Sequence, residues 1–241
     1  MLAGAQAANA ATAIVALRAD DNSIEVDGMA TEAAWSTAHW YDEFVQRDPK
    51  EGALPSERTR VAVIYDSRAI FIFVRSEDSK ADRIFASLTR RDRASPSDWV
   101  EVWLAPQRDR RSGYRFAVNA RGVQMDARLG EGGETQDFEW NGVWTSKVLR
   151  DDKGWSAEIE IPFSEMTVVA STSTFLVLGI GATMKATSEW AQRSLFARAP
   201  LARSPYRLRH VTSAPSTIFN MSTEMTRTQS YSEDFCALRG L

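Results

Sequence analysis

Two apolar runs separated by three turn residues constrain this chain more than any other feature in it. Residues 59–66, TRVAVIYD, and 69–75, AIFIFVR, are apolar on both faces of an extended chain, and Asp66-Ser67-Arg68 between them reads as a tight turn. A strand that is apolar on both faces must be covered on both, so the pair is expected as a central, fully buried hairpin. Around it, short β-segments recur between turn residues: DWVEVWLA (98–105), GYRFAVNA (113–120), GVQMDARL (122–129), residues 142–149, residues 155–161 and FLVLGIGAT (175–183). Pro162 ends one of them, because proline donates nothing to a ladder. Asn119-Ala120-Arg121-Gly122 and Asp151-Asp152-Lys153-Gly154 are turns, with Asn119 and Gly122 placed where positive φ is needed.

Ahead of the hairpin, residues 23–28 read as a strand entering an Asp27-Gly28 turn, followed by a short helix in TEAAWSTAHW with Trp35 facing inward. Eight or so strands with one short N-terminal helix predict an all-β fold, an antiparallel β-sandwich of immunoglobulin or jelly-roll type. A chain of 241 residues, 44% hydrophobic, holds one main domain. Its expected limits are 22–212, with an alanine-rich start over 1–21 and a poorly ordered tail over 213–241; beyond about residue 184 the chain is rich in Ser, Thr, Ala and Arg, and only residues 206–211 there alternate like a strand. The start contains Ala5-Gln6-Ala7 and Ala8-Asn9-Ala10, the small-x-small form that signal peptidases accept, so it reads either as the remnant of an export signal or as a disordered terminus.

Composition removes several function classes. The 29 Lys plus Arg nearly balance 32 Asp plus Glu, so no excess of positive charge favours nucleic acid. One cysteine, Cys236, and two distant histidines, His39 and His210, build neither a disulfide framework nor a Cys/His zinc site. No run of about 18 apolar residues offers a transmembrane helix. No spaced Asp/Asn/Glu loop of the strong calcium-binding kind occurs, which leaves calcium open and the metal question undecided.

Within DWVEVWL, the two-residue period puts Val100, Val102 and Leu104 on one face and Trp99, Glu101 and Trp103 on the other. A carboxylate between two indoles suits a sugar, since it accepts paired hydrogen bonds from vicinal hydroxyls while flat apolar rings support a C–H face. Extended by the same period to the next two strands, this face would gain Arg115 and Asn119, then Gln124, Asp126 and Arg128. The candidate ligand contacts are therefore Glu101, Trp99, Trp103, Arg115, Asn119 and Gln124. The solvent face of any antiparallel sheet has the same polar alternation, so the pattern also fits an ordinary outer surface. Trp35 and Trp155 are core candidates, Trp140 and Trp144 fit either a loop-edge cleft or a plug at the end of a sandwich, and Trp190 fits either role. Asp98 and Glu101 are three apart on one strand and so on opposite faces, which disqualifies the most tempting acid/base pair for a glycosidase.

The order IEVDG, EAAW, TRVAVIYDSRAIFIFVRSED, LTRRDRASPSDWVEVWLAPQRDRRSGYRFAVNARGVQMDAR, WNGVW and GWSAEIEIPFSEM, over roughly residues 22–183, resembles the domain related to family 9 carbohydrate-binding modules. It is most similar to the version found at the N-terminus of large exported bacterial proteins that continue into an outer-membrane barrel. The resemblance implies a β-sandwich, carbohydrate binding without catalysis or a required cofactor, and an oligo- or polysaccharide ligand linked to xylan-type polysaccharide breakdown. It also implies export to the periplasm, outer membrane or cell surface, and association with an outer-membrane barrel. The family signature Asp-x-Val-Glu falls on Asp98-Trp99-Val100-Glu101, so the resemblance implies that Glu101 matches a carboxylate that contacts sugar in the sugar-binding members. The sequence departs from sugar-binding members at their two clamping tryptophans. Those positions fall near Ser95-Pro96 and within Leu201-Ala202-Arg203-Ser204. A protein-interaction or assembly domain that binds no sugar is the alternative, and a glycoside hydrolase is a third reading.

Overall fold

The computed structural model describes residues 16–106, 112–130, 135–167, 174–184 and 189–199. The expected strand-like stretch at 206–211, the start over 1–15 and the tail over 213–241 lie outside these residues. The described chain forms two sheets packed face to face, with one five-residue helix, α1 (Ala33–Thr37). All strand pairings are antiparallel except that of β1 (Leu17–Arg18) with β4 (Thr59–Tyr65). The all-β sandwich expected from the sequence is the fold observed.

The first sheet runs in the order β1, β4, β5 (Ala69–Glu77), β11 (Gly154–Pro162) and β10 (Thr145–Asp151), with β2 (Trp40–Tyr41) also pairing with β4. The hairpin β4–β5 sits at its centre, and Val61–Tyr65 and Ala69–Val74 are buried throughout. Its turn is closed by Asp66, whose carboxylate accepts the amides of Arg68 at 2.7 Å and Ala69 at 2.8 Å. The second sheet runs β3 (Val45–Asp48), β13 (Glu189–Ala199), β12 (Thr174–Met184), β6 (Trp99–Ala105), β7 (Gly113–Asn119), β8 (Gln124–Gly130) and β9 (Thr135–Asp137).

Between the sheets lies the main core. The first sheet contributes Val61, Val63, Ile70, Ile72, Val74, Ala157, Ile159 and Ile161, and the second contributes Val100, Val102, Leu104, Phe116, Val118 and Ile180. Trp155 belongs to this core, and Trp144 with the partly buried Trp140 closes one end of it, their rings 5.4 Å and 5.9 Å from Phe116. The plug reading of these two tryptophans is the one observed.

The other apolar face of β4 and β5 is covered by the N-terminal segment. Trp35, Ala19, Ala38, Ile24 and Val26 pack on Ala62, Ile64, Phe71 and Phe73, forming a second core outside the first sheet. Two expectations change here. Residues 23–26 are not a strand; they cross the sheet's outer face with Ile24 and Val26 inward. Residues ahead of 22, expected as part of an export-signal remnant or a disordered terminus, also pack on this sheet: Ala16 and Ala19 are buried and Leu17–Arg18 pairs with Ile64–Tyr65.

A third change is at the C-terminal side, where residues beyond 184 looked irregular apart from 206–211. Residues 189–199 form β13, paired along its whole length with β12 and at one end with β3. Among the described residues no helix is long and apolar enough to cross a membrane.

Candidate functional site

The site is best built from strand register. Along β6, Trp99, Glu101 and Trp103 point away from the main core, opposite Asn119, Ala117 and Arg115 of β7 on one side and Thr183, Gly181 and Gly179 of β12 on the other. Glu101 thus lies between an alanine and a glycine. Neither neighbour has a side chain long enough to cover a carboxylate, and Trp103 lies opposite Arg115 in the next row.

Arg115 Nε donates to Glu101 Oε2 at 2.8 Å, and the two side chains are only 18% and 15% exposed. Burial works against the guanidinium charge, but attraction to and hydrogen bonding with Glu101 outweigh it and raise the pKa of Arg115. Arg115 Nη1 also donates to Gln136 Oε1 on β9 at 3.4 Å. The polar centre is therefore a Glu101–Arg115–Gln136 chain reaching from β6 to the β9 edge. Gln136 was not anticipated; it sits opposite Leu129 on β9, and nothing in its local sequence reveals that pairing.

Of the six anticipated contacts, the structure brings Glu101, Arg115 and Trp103 together on this face, all partly exposed. Trp99 is on the same face but 8% exposed, with its ring packed against Ala117, Val123 and Met125 and its indole N–H donated to the Ser95 carbonyl at 3.1 Å. Asn119 shares its row and is fully buried. Its side-chain oxygen accepts the Arg121 and Val123 amides, both at 2.9 Å, and its Nδ2 donates to the Ser87 carbonyl at 2.9 Å. Asn119 therefore organises the β7–β8 turn, in which Gly122 takes the positive φ of 85°. Asn119 does not share that conformation, contrary to expectation.

Gln124 does not join the face at all, and nor do Asp126 and Arg128. The turn pairs Gln124 with Val118 and Asp126 with Phe116, so these residues lie on the core side of the sheet, while Met125 and Ala127 take the Glu101 side. Alternation settles which residues of one strand share a face, but the turn sets the phase between strands, and a one-residue change flips every side chain.

The displaced polar residues build a separate buried network. Asp126, with no side-chain exposure, pairs with Arg91 and accepts the Trp144 indole N–H at 2.8 Å and the Gly142 amide at 3.1 Å. Arg91 donates to Gln124 Oε1 at 3.0 Å and to the Gly142 carbonyl at 2.7 Å. This network ties the long β5–β6 connection to the loop before β10. Among the described residues no group of three or more His, Cys, Asp or Glu is arranged to hold a metal ion.

Residues 26–194 match the family described as carbohydrate family 9 binding domain-like. No curated protein matches the chain. Among solved structures, a family 9 carbohydrate-binding module of Caldicellulosiruptor kristjanssonii in complex with glucose is similar at a TM-score of 0.56 and 14% identity, over 81% of this chain and 99% of that one. The cellotriose complex from that organism gives 0.54 and 14%, over 82% and 99%. A candidate carbohydrate-binding protein of Bacteroides uniformis gives 0.59 and 13%, over 80% and 93%. At such identity the likeness speaks for the fold, and the family match spans more than half of the chain; the protein belongs to the carbohydrate family 9 binding domain-like family.

Proposed function

We propose that this domain is a non-catalytic carbohydrate-binding module that takes an oligo- or polysaccharide on the outer face of its second sheet, around Glu101. The observation that carries the reading is the partly exposed Glu101–Arg115 pair, with Glu101 between Ala117 and Gly181 and Arg115 opposite Trp103. A carboxylate and a guanidinium held in fixed geometry offer adjacent acceptors and donors to neighbouring sugar hydroxyls, and an indole provides apolar contact area. The family's solved complexes with glucose and cellotriose support the same ligand class.

The finer parts of the proposal are a role in xylan-type polysaccharide breakdown, export to the periplasm, outer membrane or cell surface, and association with an outer-membrane barrel. They are supported by the motif order noted above and by the two small-x-small tripeptides near the N-terminus. No cofactor and no catalytic pair enters the reading; calcium enters as a condition to be varied.

The test is titration calorimetry of the full chain with glucose, cello-oligosaccharides and xylo-oligosaccharides at millimolar concentration, with and without calcium. Saturable binding that Glu101→Gln weakens without lowering the melting temperature supports the proposal. Absence of binding to every sugar favours a protein-interaction domain, and release of reducing ends from a polysaccharide favours a hydrolase.

A further inference from the structure

The first sheet ends on β10, whose outer edge has no neighbouring strand among the described residues. Which of its backbone groups face outward follows from the ladder on the other side of β11. At the two ends of β11 the Asp78 amide donates to the Lys153 carbonyl at 3.0 Å and the Phe163 amide to the Arg68 carbonyl at 2.8 Å. Both continue the β5–β11 register, so odd-numbered residues of β11 bond β5 and even-numbered ones bond β10. The even-numbered residues face odd-numbered residues of β10, from Thr145 opposite Glu160 to Asp151 opposite Gly154. The amides and carbonyls of Ser146, Val148 and Arg150 therefore point outward, and among the described residues none of them has a backbone partner.

Such an edge is a template for another strand, and proteins commonly guard it with charges that repel one. The charges of β10 act the other way toward a second copy of the same strand. Two copies paired antiparallel with Leu149 opposite itself place Lys147 of each opposite Asp151 of the other, all on the face of the sheet that carries Glu158. Lys147 is exposed, and Leu149 is 38% exposed. Asp151 uses Oδ1 for Arg75 at 2.7 Å and for the Lys153 amide at 2.8 Å, and its Oδ2 carries no hydrogen bond among the described residues. Centring the pair on Val148 instead sets Lys147 opposite Leu149 and Asp151 opposite Thr145, which loses both charge pairs.

We propose that the protein forms a twofold dimer by antiparallel pairing of β10 with β10 of a second copy, in the register centred on Leu149. The first sheet then runs from one copy into the other. The twofold axis stands normal to the joined sheet, so both second sheets lie on one side of it and the two Glu101 faces point to that side. This arrangement suits a ligand with repeated sites, such as a polysaccharide chain, but the dimer itself does not depend on what that face binds.

Because the facing stretch from Lys147 to Asp151 is short, sedimentation velocity of the full chain is expected to show a weak monomer–dimer equilibrium, with a Kd on the order of 10–100 µM. Arg150→Pro removes an outward-pointing amide at an exposed position, so the melting temperature should stay within a few degrees of wild type while association weakens at least about ten-fold. Lys147→Glu sets like charges opposite one another and should weaken association about ten-fold. In a Cys236→Ser background, which removes the one native cysteine, Leu149→Cys tests the register directly. Position 149 faces itself as a non-hydrogen-bonded pair, with Cα atoms about 4.5 Å apart, so mild oxidation should give a disulfide-linked dimer there and not with Lys147→Cys.

A wild-type chain that stays monomeric at millimolar concentration overturns the inference. A dimer that survives Arg150→Pro or Lys147→Glu unchanged places the contact elsewhere and overturns it as well. Cross-linking of Lys147→Cys as readily as of Leu149→Cys excludes the register on which the charge argument stands. Should Arg150→Pro prove unstable, the cross-linking comparison decides alone.

Discussion

The indole N–H of Trp35 donates to Glu158 Oε1 at 3.0 Å, joining α1 to the middle of β11 across 123 residues of chain. The other oxygen of the same carboxylate accepts the Asp27 amide at 2.9 Å and the Gly28 amide at 2.8 Å. Glu158 has no exposed surface. It supplies acceptors for residues 27 and 28, which lie in a stretch that joins no ladder, and so it fastens the outer layer to the first sheet.

This fastening makes stability depend on pH. Burial pushes the Glu158 carboxyl from 4.5 up to about 7; the Gly28 amide and the Trp35 indole pull it down, and Glu32 adds repulsion. The folded value lies above the unfolded one, so the stability this group contributes is complete below pH 4.5 and is lost as the pH rises through about 7. The full effect is on the order of 3–4 kcal/mol, from a rise of about 2.5 units at about 1.4 kcal/mol per unit. Thermal melts at pH 4.5 and pH 8 should show wild type losing stability by this amount relative to Glu158→Gln. Parallel pH profiles for the two proteins would contradict it.

Arg115→Lys tests the central pair. Lysine keeps the charge but lacks the guanidinium fork that reaches Glu101 from Nε and Gln136 from Nη1. Sugar affinity is expected to fall about ten-fold, equivalent to about 1.4 kcal/mol, with a melting temperature within a few degrees of wild type. Unchanged affinity would mean that the orientation of Glu101 does not matter.

Gln124 and Asn119 give opposite expectations. Gln124→Ala removes a side chain on the far side of the sheet, so sugar affinity should stay within about two-fold of wild type. Asn119→Ala strips the Arg121 and Val123 amides of their acceptor and should cost about 1–3 kcal/mol in urea denaturation. A large loss of affinity in Gln124→Ala would show that this residue reaches the ligand.

Asp126→Ala is expected to be more damaging, at about 3–5 kcal/mol, because it leaves Arg91, the Trp144 indole and the Gly142 amide without their shared acceptor. Chemical denaturation reads this directly. A loss below about 1 kcal/mol would mean that water replaces the carboxylate.

Gly154→Ala probes the β10–β11 hairpin. Gly154 has φ of 138°, and a Cβ there would lie 2.1 Å from the Ser76 carbonyl oxygen of the neighbouring strand. Backbone cannot yield as a side-chain tip can, so a loss of about 3 kcal/mol or more is expected. A melting temperature like that of wild type would show that β5 moves aside at little cost.

Much of the fold was legible in the sequence because it depends on short-range rules. The doubly apolar runs at 59–66 and 69–75 required cover on both faces, and the structure provides it with the second sheet on one side and the Trp35 layer on the other. Alternation within 98–104 correctly separated Val100, Val102 and Leu104 from Trp99, Glu101 and Trp103, and the turn at 151–154 lay where its glycine predicted. β13 escaped notice because its eleven residues mix Arg, Gln and Ser with apolar groups, and it becomes a strand through pairing with β12 and β3 rather than through its own pattern.

By itself, the sequence determined the periodicity of each strand and so which of its residues share a face. Only the tertiary structure decided how those faces are phased against one another, because phase depends on turn geometry and long-range register. Register set Arg115 beside Trp103 and within reach of Glu101, and moved Gln124 and Asp126 to the core side. It also buried Glu158 beneath Trp35, where a carboxylate in an alternating strand became the anchor of the N-terminal layer. That outcome depends on partners about 130 residues away, which no local pattern can encode.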